Sequence, residues 1–409
     1  MKNNWKKVII CNYCEITSSK RIFAREYVEK GIPFYRGKEI SEKQKNSDSN
    51  GLLYISEERY EEIKNRFGVP RKGDILLTSV GTLGNPYFVK SDSKFYFKDG
   101  NLTWFKNFKN IKSKWLYYWI LSPQGKAELK KCIIGSSQSA YTINLLSGMK
   151  IPLPPKNVQQ KIASVLSAYD NLIEVNNRRI KILEEMAQRI YNEWFVEFKF
   201  PGYEKVKIKN GVPEGWGKKN ILDIDYFNFC KSKIKEYEGE KEYFATANID
   251  GINIVKDGEL VAFNEKPSRA QIQPKVNSIW FARMKDSYKV LSYRKINKDL
   301  ADKHILSSGM IGFEAEEEYF GFLYFTIKSD WFHDLKDQYA TGATQVSLTN
   351  AGLAGIKILV PDKKIASAYS KKVNIFIDKM LNLQRINNNL CETRDLLLPK
   401  LMSGEIKIS

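Results

Sequence analysis

The most regular hydrophobic pattern in the chain is a pair of long stretches in which one side of a helix is repeatedly apolar. Positions on this side recur in alternating steps of four and three, from Ile162 to Trp194 and again from Tyr369 to Leu401. This spacing is typical of a coiled-coil seam, so each stretch is predicted to form one long helix. The predicted seam residues are Ile162, Leu166, Tyr169, Ile173, Asn176, Ile180, Leu183, Ala187, Ile190 and Trp194 in the first helix, and Tyr369, Val373, Phe376, Met380, Leu383, Asn387, Leu390, Arg394, Leu397 and Leu401 in the second.

Each predicted helix follows one copy of an internal repeat. The segment "GSSQSAYTINLLSGMKIPLP" (Gly135 to Pro154) returns 207 residues later as "GATQVSLTNAGLAGIKILVP" (Gly342 to Pro361), with eight of twenty positions identical. Further upstream, the apolar run "GDILLTSV" (Gly73 to Val80) matches "NSIWFARM" (Asn277 to Met284) at an offset of 204, and both are typical of strands. The chain is therefore predicted to contain one mixed α/β unit twice, each followed by a long helix.

The two long helices are predicted to be antiparallel. The first carries the chain from one unit to the other, and the second starts at the second unit and packs back along the first. Asn176 lies at a d-type position and Asn387 at an a-type position. Antiparallel coils layer a against d, so the two amides are expected to form a buried polar pair that fixes the register. The alternative, with both asparagines facing solvent, stays open; Arg394 is expected to extend to the surface.

The aromatic residues Trp115, Tyr117, Tyr118 and Trp119 allow two interpretations. Aromatic side chains can stack on the bases of single-stranded nucleic acid. Their helical spacing, and the aromatic positions that match them in the second copy of the repeat, favour a buried domain core instead.

Length and charge indicate the class of partner. A chain of 409 residues suits two or three domains. The net charge is +19, and residues 1–150 carry 27 basic against 14 acidic side chains, which points to a polyanion such as nucleic acid. Plain solubility is the alternative explanation. No apolar run long enough to span a membrane and no secretory leader are found, so a cytoplasmic protein without membrane contact is expected.

The sequence offers little material for catalysis. Cys11 and Cys14 have the spacing of half a zinc site, but no second pair follows, so no metal is expected. The chain contains only two histidines, His304 and His333. "GNPYF" (Gly84 to Phe88) lacks the second proline of an amino-methyltransferase loop, and a Walker lysine motif is absent. No catalytic residues are therefore predicted.

Several segments resemble the specificity subunits of Type I restriction-modification systems. The segment from Ile151 to Phe198 is similar to the central conserved region of that family, and Asn387 to Ile408 to the distal one. Weaker similarities are "GVPEGW" (Gly211 to Trp216), "GIPFYRGKEI" (Gly31 to Ile40) and "KGDILLTSVGTLG" (Lys72 to Gly84). The resemblance covers essentially the full length.

The resemblance implies an α+β fold with two α/β target recognition domains, residues 1–155 and 201–361. Two antiparallel coiled-coil helices would join them: a central region, 156–200, and a distal region, 362–409. Each domain would read one half of a bipartite double-stranded DNA target. The chain would have no cofactor of its own; two methyltransferase subunits would carry S-adenosylmethionine, and two optional restriction subunits would use ATP. Alternatives are a single-chain modification or restriction enzyme and a structural adaptor.

Candidate DNA contacts follow from the chemistry of phosphates and base edges. The shared glutamines Gln138 and Gln345 favour a structural or phosphate role over base reading, since domains that read different bases should differ there. The ends of the spacer helices, Arg189 to Phe195 and Leu396 to Ile406, are expected to dock the methyltransferases. Basic candidates for phosphates are Arg36, Lys38, Arg71, Lys72, Arg283 and Lys285; polar loop candidates are Ser79, Thr82, Ser136, Ser137, Gln138, Tyr141, Thr344, Gln345 and Ser347.

Overall fold

The chain divides into two compact units. A computed structural model describes residues 5–44, 51–135, 139–230 and 234–407. The first unit comprises Met1–Glu174 with Asn388–Ser409, and the second comprises Val175–Asn387. Both divisions fall inside long helices, because each helix packs one part of its length on each unit. The structure confirms a mixed fold with two long helices.

The first unit is built on two four-stranded sheets, whose strand orders are β2-β9-β6-β7 and β3-β5-β4-β8. The pair β4·β8 is parallel and the other pairs within these sheets are antiparallel. The elements are β1 (Lys7–Ile9), β2 (Glu15–Thr17), β3 (Tyr27–Val28), β4 (Ile32–Tyr35), α1 (Gly37–Gln44), β5 (Leu53–Ile55), α2 (Glu57–Phe67), β6 (Ile75–Thr78), β7 (Pro86–Phe88), β8 (Tyr96–Phe97), β9 (Leu102–Lys106), α3 (Ser113–Leu121), α4 (Pro123–Lys130), β10 (Ile133–Ile134), β11 (Ala140–Tyr141), α5 (Ile143–Ser147), β12 (Lys150–Pro152) and the long helix α6 (Lys156–Tyr191).

The second unit also has two four-stranded sheets, ordered β16-β25-β22-β23 and β20-β17-β24-β21. Its elements are β13 (Ile208–Lys209), β14 (Val212–Pro213), β15 (Gly217–Asn220), β16 (Phe227–Phe229), β17 (Glu240–Phe244), β18 (Ile249–Asp250), β19 (Asn253–Ile254), β20 (Glu259–Ala262), β21 (Ala270–Ile272), β22 (Ser278–Ala282), β23 (Val290–Tyr293), α7 (Lys298–Lys303), β24 (His304–Ser307), β25 (Met310–Ala315), α8 (Phe320–Lys328), α9 (Asp330–Gln338), β26 (Ala340–Thr341), β27 (Ser347–Leu348), α10 (Asn350–Leu353), β28 (Lys357–Val360) and the long helix α11 (Lys363–Ser403).

The internal repeat is visible in the strand topology. The first sheet of one unit, β2-β9-β6-β7, has the same connections as β16-β25-β22-β23 in the other. In each unit an early strand also pairs antiparallel with the last strand, β1 with β12 and β15 with β28. Two of the identical pairs have the same role in both units. Thr142 and Thr349 each cap a short helix by accepting a backbone N–H bond, and Leu146 and Leu353 are fully buried below it. The predicted duplication is confirmed.

The aromatic helices form the centre of each core. Trp115, Tyr118 and Trp119 on α3 are almost completely buried, as are Phe322 and Phe325 on α8. Burying side chains of this size is the main apolar contribution to the stability of each unit. The prediction of a core role is therefore confirmed for these residues, which are not available as stacking platforms for bases.

The long helices pack antiparallel within each unit. In the second unit, the hydroxyl of Tyr369 near the start of α11 donates to the carbonyl of Ala187 near the end of α6 at 3.1 Å. In the first, Ile162 and Leu166 share a hydrophobic cluster with Leu398, Leu401 and Met402. Among the remaining seam residues, Ile173, Ile180, Trp194, Val373, Met380 and Leu383 are buried, whereas Tyr169, Leu183, Ile190, Phe376, Leu390 and Leu397 are half-buried.

The asparagines predicted to pair are in direct contact in the second unit. Asn176 Nδ2 donates to Asn387 Oδ1 at 2.9 Å, and Asn387 Nδ2 donates to Asn177 Oδ1 at 2.8 Å. Asn176 and Asn387 are each only 7% exposed, so the amides satisfy each other away from bulk water.

The expectation for Arg394 is wrong. In the first unit its guanidinium Nη1 donates to Asp170 Oδ1 at 2.7 Å, and the hydroxyl of Tyr118 donates to the other oxygen of Asp170 at 2.5 Å. Because Arg394 has this partner, its charge stays close to the helix pair instead of extending into solvent.

No helix in the described part of the chain is long and apolar enough to cross a membrane.

Candidate nucleic-acid interface

In each unit, the loop after one central strand lies against the loop that opens the repeated segment. In the first unit, Val80 bridges Ala140, and the Tyr141 N–H donates to the Ser79 carbonyl at 3.0 Å. In the second unit, Met284 bridges Ser347. The two bridges join equivalent positions of the repeat, because Met284 follows Val80 by 204 residues and Ser347 follows Ala140 by 207. The units thus present two equivalent loop pairs.

The loop pair of the second unit exposes several polar side chains. The Lys285 N–H donates to the Val346 carbonyl at 3.0 Å, which joins the 283–288 turn to the 342–347 loop. Lys285, Thr344 and Gln345 are exposed, and Ser347 is half-buried. An ammonium group beside hydroxyl and amide groups is a combination suited to phosphates and base edges.

A buried lysine supports this loop pair from beneath. Lys336 on α9 is fully buried, and its Nζ donates to the carbonyls of Met284 at 2.8 Å and Ser287 at 3.2 Å. Its neighbour Asp337 accepts the N–H of Asp286 at 3.1 Å. Asp286 has a left-handed backbone (φ 56°), which an L-residue adopts at some cost. These contacts hold the turn in one conformation.

The family-model comparison matches residues 2–185 to the Type I restriction modification DNA specificity domain. Relatives match over nearly the whole chain. The Type I restriction enzyme MjaIX specificity subunit of Methanocaldococcus jannaschii is 27% identical over 94% of this chain and 89% of its own length. The HindI specificity subunit of Haemophilus influenzae is 23% identical over 82% of this chain and 87% of its own. Over these lengths the chain is similar to the specificity subunits of Type I restriction-modification systems.

A solved structure has a similar fold. The Type I restriction-modification system S subunit from M. genitalium superposes with a TM-score of 0.59 at 17% identity, covering 98% of this chain and 97% of that one. At this identity the likeness concerns the fold alone, and the chemistry of the loops has to be argued from the residues of this chain.

Two of the predicted DNA contacts, Ser79 and Arg283, form hydrogen bonds within the protein instead. Ser79 is 1% exposed and its hydroxyl lies 2.7 Å from that of Thr103, so it has no surface to offer a base. Arg283 donates to the carbonyls of Ser308 at 3.1 Å and Leu348 at 3.0 Å and to the Asn350 side chain at 3.1 Å. Burial lowers the pKa of its guanidinium. Arg283 therefore braces the loop pair, and we leave both residues out of the proposed contacts.

The other basic candidates are not gathered into one site. Arg36 pairs with buried Glu39. Burial raises the pKa of the Glu39 carboxyl, but the hydrogen bonds that it accepts, together with the charge of Arg36, leave this pKa below its usual value. Lys38 is exposed, 3.8 Å from Glu42. Arg71 and Lys72 are exposed on the turn before β6.

In the first unit, Thr82 is exposed on the loop after β6, and Tyr141 is half-buried. Ser136, Ser137 and Gln138 lie outside the described residues. The contribution of Lys336 to the second loop pair escaped the sequence analysis, because a lysine on an amphipathic helix ordinarily indicates a solvated face.

No group of three or more potential metal ligands occurs among the described residues. Cys14 is buried; burial, and then the nearby Cys11, raise the pKa of its thiol to about 12. A thiol that stays protonated in this way is a poor metal ligand.

Proposed function

We propose that the chain is the non-catalytic DNA-reading subunit of a Type I restriction-modification complex, in which each unit reads one half of a bipartite double-stranded target. The observation that carries this proposal is the pair of equivalent loop pairs, at Val80 with Ala140 and at Met284 with Ser347. One fold presents two loop pairs of different sequence, which is what reading two different half-sites requires.

The proposed contacts are those whose side chains reach the surface. In the second unit they are Lys285 for phosphates and Thr344, Gln345 and Ser347 for bases or phosphates. In the first unit, Thr82 and Tyr141 belong to the corresponding loop pair. Ser136, Ser137 and Gln138 lie outside the described residues and stay candidates from the sequence alone. Lys38, Arg71 and Lys72 add exposed positive charge, which supports electrostatic attraction to DNA.

The recognition domains are proposed to span residues 1–155 and 201–361, with the central helical region at 156–200 and the distal one at 362–409. The two long helices begin at Lys156 and Lys363, next to these boundaries. A continuous pair of helices would set the separation of the two half-sites. A cytoplasmic location follows from a DNA target and partner enzymes of this kind.

A Type I specificity subunit assembles with other subunits of its system, and we propose two methyltransferase subunits and, optionally, two restriction subunits as partners. S-adenosylmethionine and ATP would bind to those partners. The docking surface predicted at Arg189 to Phe195 needs revision, because Trp194 and Phe195 are buried in the second unit. Apolar side chains exposed on the long helices are better candidates: Ile182, Met186 and Ile375 in the second unit, and Leu172 and Leu396 in the first.

Exchange of one recognition domain tests the function. Residues 201–361 would be replaced by the corresponding domain of another specificity subunit, and the hybrid purified with the cognate methyltransferase. We expect methylation at a new site in which one half is changed and the other kept. An unchanged site would favour a structural adaptor, and methyl transfer by the isolated chain would favour a single-chain enzyme.

A further inference from the structure

A cavity of about 740 Å³ opens in the first unit between β7, α3 and the parts of α6 and α11 that belong to this unit. Its aromatic wall consists of Phe88 and Tyr117, whose rings pack edge to face with centroids 5.8 Å apart, and Tyr87 also lines the cavity. The charged lining consists of Lys43, Lys72, Lys90, Lys114, Lys126 and Arg394 with the carboxylates of Asp170 and Asp395. Positive charge therefore dominates the cavity.

Most of this positive charge has no protein counter-ion. Arg394 is paired with Asp170 and Asp395, and Lys90 with Glu174 at 2.6 Å. The other lysines, Lys43, Lys72, Lys114 and Lys126, make no ion pair with a carboxylate of any described residue. Lys114 is half-buried, and burial lowers the pKa of its ammonium group. A bound anion would stabilise the charged form of these lysines.

The second unit has apolar side chains where the first unit has this charged network. Tyr118, Asp170 and Arg394 correspond, at an offset of 207 residues, to Phe325, Ile377 and Ala187. All three of those residues are 0% exposed and form part of the apolar core. An ionic network is no more stabilising than well-packed apolar residues of similar volume. Stability alone therefore does not explain the charged network in the first unit.

The counter-charges differ in the same direction. At the offset of 204 residues that relates the strands of the two units, Lys90 corresponds to Arg294. Arg294 is 3% exposed and pairs with Asp378 at 2.5 Å and Glu317 at 2.7 Å. At the offset of 207 residues that relates the helices, the first unit has Asn171 in place of Asp378 and Asn110 in place of Glu317. The second unit thus buries one arginine between two carboxylates. The first unit lacks both of these carboxylates, and among the described residues only Lys90 of its cavity lysines is paired with a carboxylate, that of Glu174.

We propose that this cavity binds a nucleotide, with its phosphates against the lysines and its base against the aromatic wall. The volume falls in the range of about 300–1,000 Å³ typical of small-molecule sites. Lysine binds phosphate as a point charge, and several uncompensated lysines match a chain of phosphates. Aromatic faces stack on any base.

The asymmetry between the units favours a free nucleotide over a DNA strand. A contact with the backbone of a two-part DNA target would be expected in both copies of the repeat, but the second unit fills the equivalent position with apolar core. Lys72 is used in both proposals, whereas Lys43, Lys114 and Lys126 are used only in this one, so a chain that reads DNA without binding a nucleotide would overturn this proposal alone.

The test measures binding of ATP to the full chain by isothermal titration calorimetry. We expect saturable binding that weakens about tenfold in Lys114→Met and in Lys72→Met, because each loses one charge-assisted contact with phosphate. Asn171→Asp restores the carboxylate of the second unit and should also weaken binding. Lys130→Met, an exposed lysine outside the cavity, is the matched control and should leave binding unchanged.

Several outcomes would overturn the proposal. One is the absence of saturable ATP binding at millimolar concentration; another is equal affinity in Lys114→Met and Lys130→Met while both variants keep the circular dichroism spectrum of the parent. A duplex or single-stranded oligonucleotide that binds through Lys114 where ATP does not would assign the cavity to DNA. Displacement of ATP by an equal concentration of an acidic peptide would show recognition of charge alone.

Discussion

The asparagine pair between the long helices allows a quantitative test of the helical register. Asn176 and Asn387 satisfy each other at 2.9 Å, and Asn387 makes a second bond to Asn177 at 2.8 Å. Asn176→Leu leaves the Asn387 carbonyl oxygen buried without a donor. Asn387→Leu removes both hydrogen bonds and leaves the buried Asn176 amide without a partner. Both single changes should therefore destabilise the second unit, the second more than the first.

The size of the effect follows from the cost of a buried polar group that loses its partner, about 1–3 kcal/mol. We expect about 1–2 kcal/mol for Asn176→Leu and about 2–3 kcal/mol for Asn387→Leu. The double variant places two apolar side chains in contact, so its stability should return to that of the parent or exceed it. The coupling energy, the difference between the cost of the double variant and the summed single costs, should therefore amount to about 3 kcal/mol or more.

Hydrogen exchange of the second-unit segments of α6 and α11 measures this stability locally, which avoids assuming that both units unfold together. Asn382→Leu is the matched control, because Asn382 is exposed on the same helix, and its replacement should change little. If the double variant were as unstable as the two single costs combined, or if Asn176→Leu behaved like Asn382→Leu, the reasoning would be refuted.

Three further predictions concern the second unit. Lys336→Met removes the support of the 284–287 turn, so the complex should discriminate less well against single base changes in one half-site only. The assay is methylation of DNA substrates that carry such changes, and an equal loss in both half-sites would contradict a positioning role for Lys336. Alanine at both Thr344 and Gln345 should weaken discrimination against base changes in that same half-site about tenfold. Thermal stability should stay unchanged because both side chains are exposed, and full retention of specificity would show that they do not contact the DNA. Burial lowers the pKa of His304 to about 4, so the unfolded chain gains a proton between pH 6.5 and 4 that the native chain does not. The contribution of His304 to the free energy of unfolding is fully present above pH 6.5, and about 3 kcal/mol of it should be lost towards pH 4; His333, whose pKa burial also lowers to about 4, titrates in the same range. Denaturant unfolding of His304→Phe should show a flatter pH dependence, and an unchanged slope would be inconsistent with this cause.

The helices and the repeat could be predicted from the sequence because both signals are local. A strict four-three spacing determines one face of a helix, and a seven-residue repeat then places Asn176 opposite Asn387. The same pattern was ambiguous where two apolar residues are adjacent: Phe376 is half-buried while its neighbour Ile377 is completely buried. A straight helix drifts by about 20° per heptad relative to a strict seven-residue repeat, enough to exchange such neighbours.

The parts that could not be predicted depend on contacts between distant residues. Asp170 directly follows a seam position, and nothing in the sequence indicated that it would pair with Arg394, which is 224 residues away. Ser79 had the chemistry of a base contact, but its strand buries it beside Thr103. The repeat identified the loop pairs, since like sequences fold alike, whereas the exposure of each side chain depended on its tertiary neighbours.

The most direct test of the central claim is the methylation pattern produced by the chain together with its cognate methyltransferase. Modified bases would be mapped across a genome that lacks other methylation. Two reading units on a helical spacer predict one motif made of two specific halves separated by a fixed, unspecified gap. A continuous palindrome, or modification without sequence preference, would contradict the claim that each unit reads one half of the target.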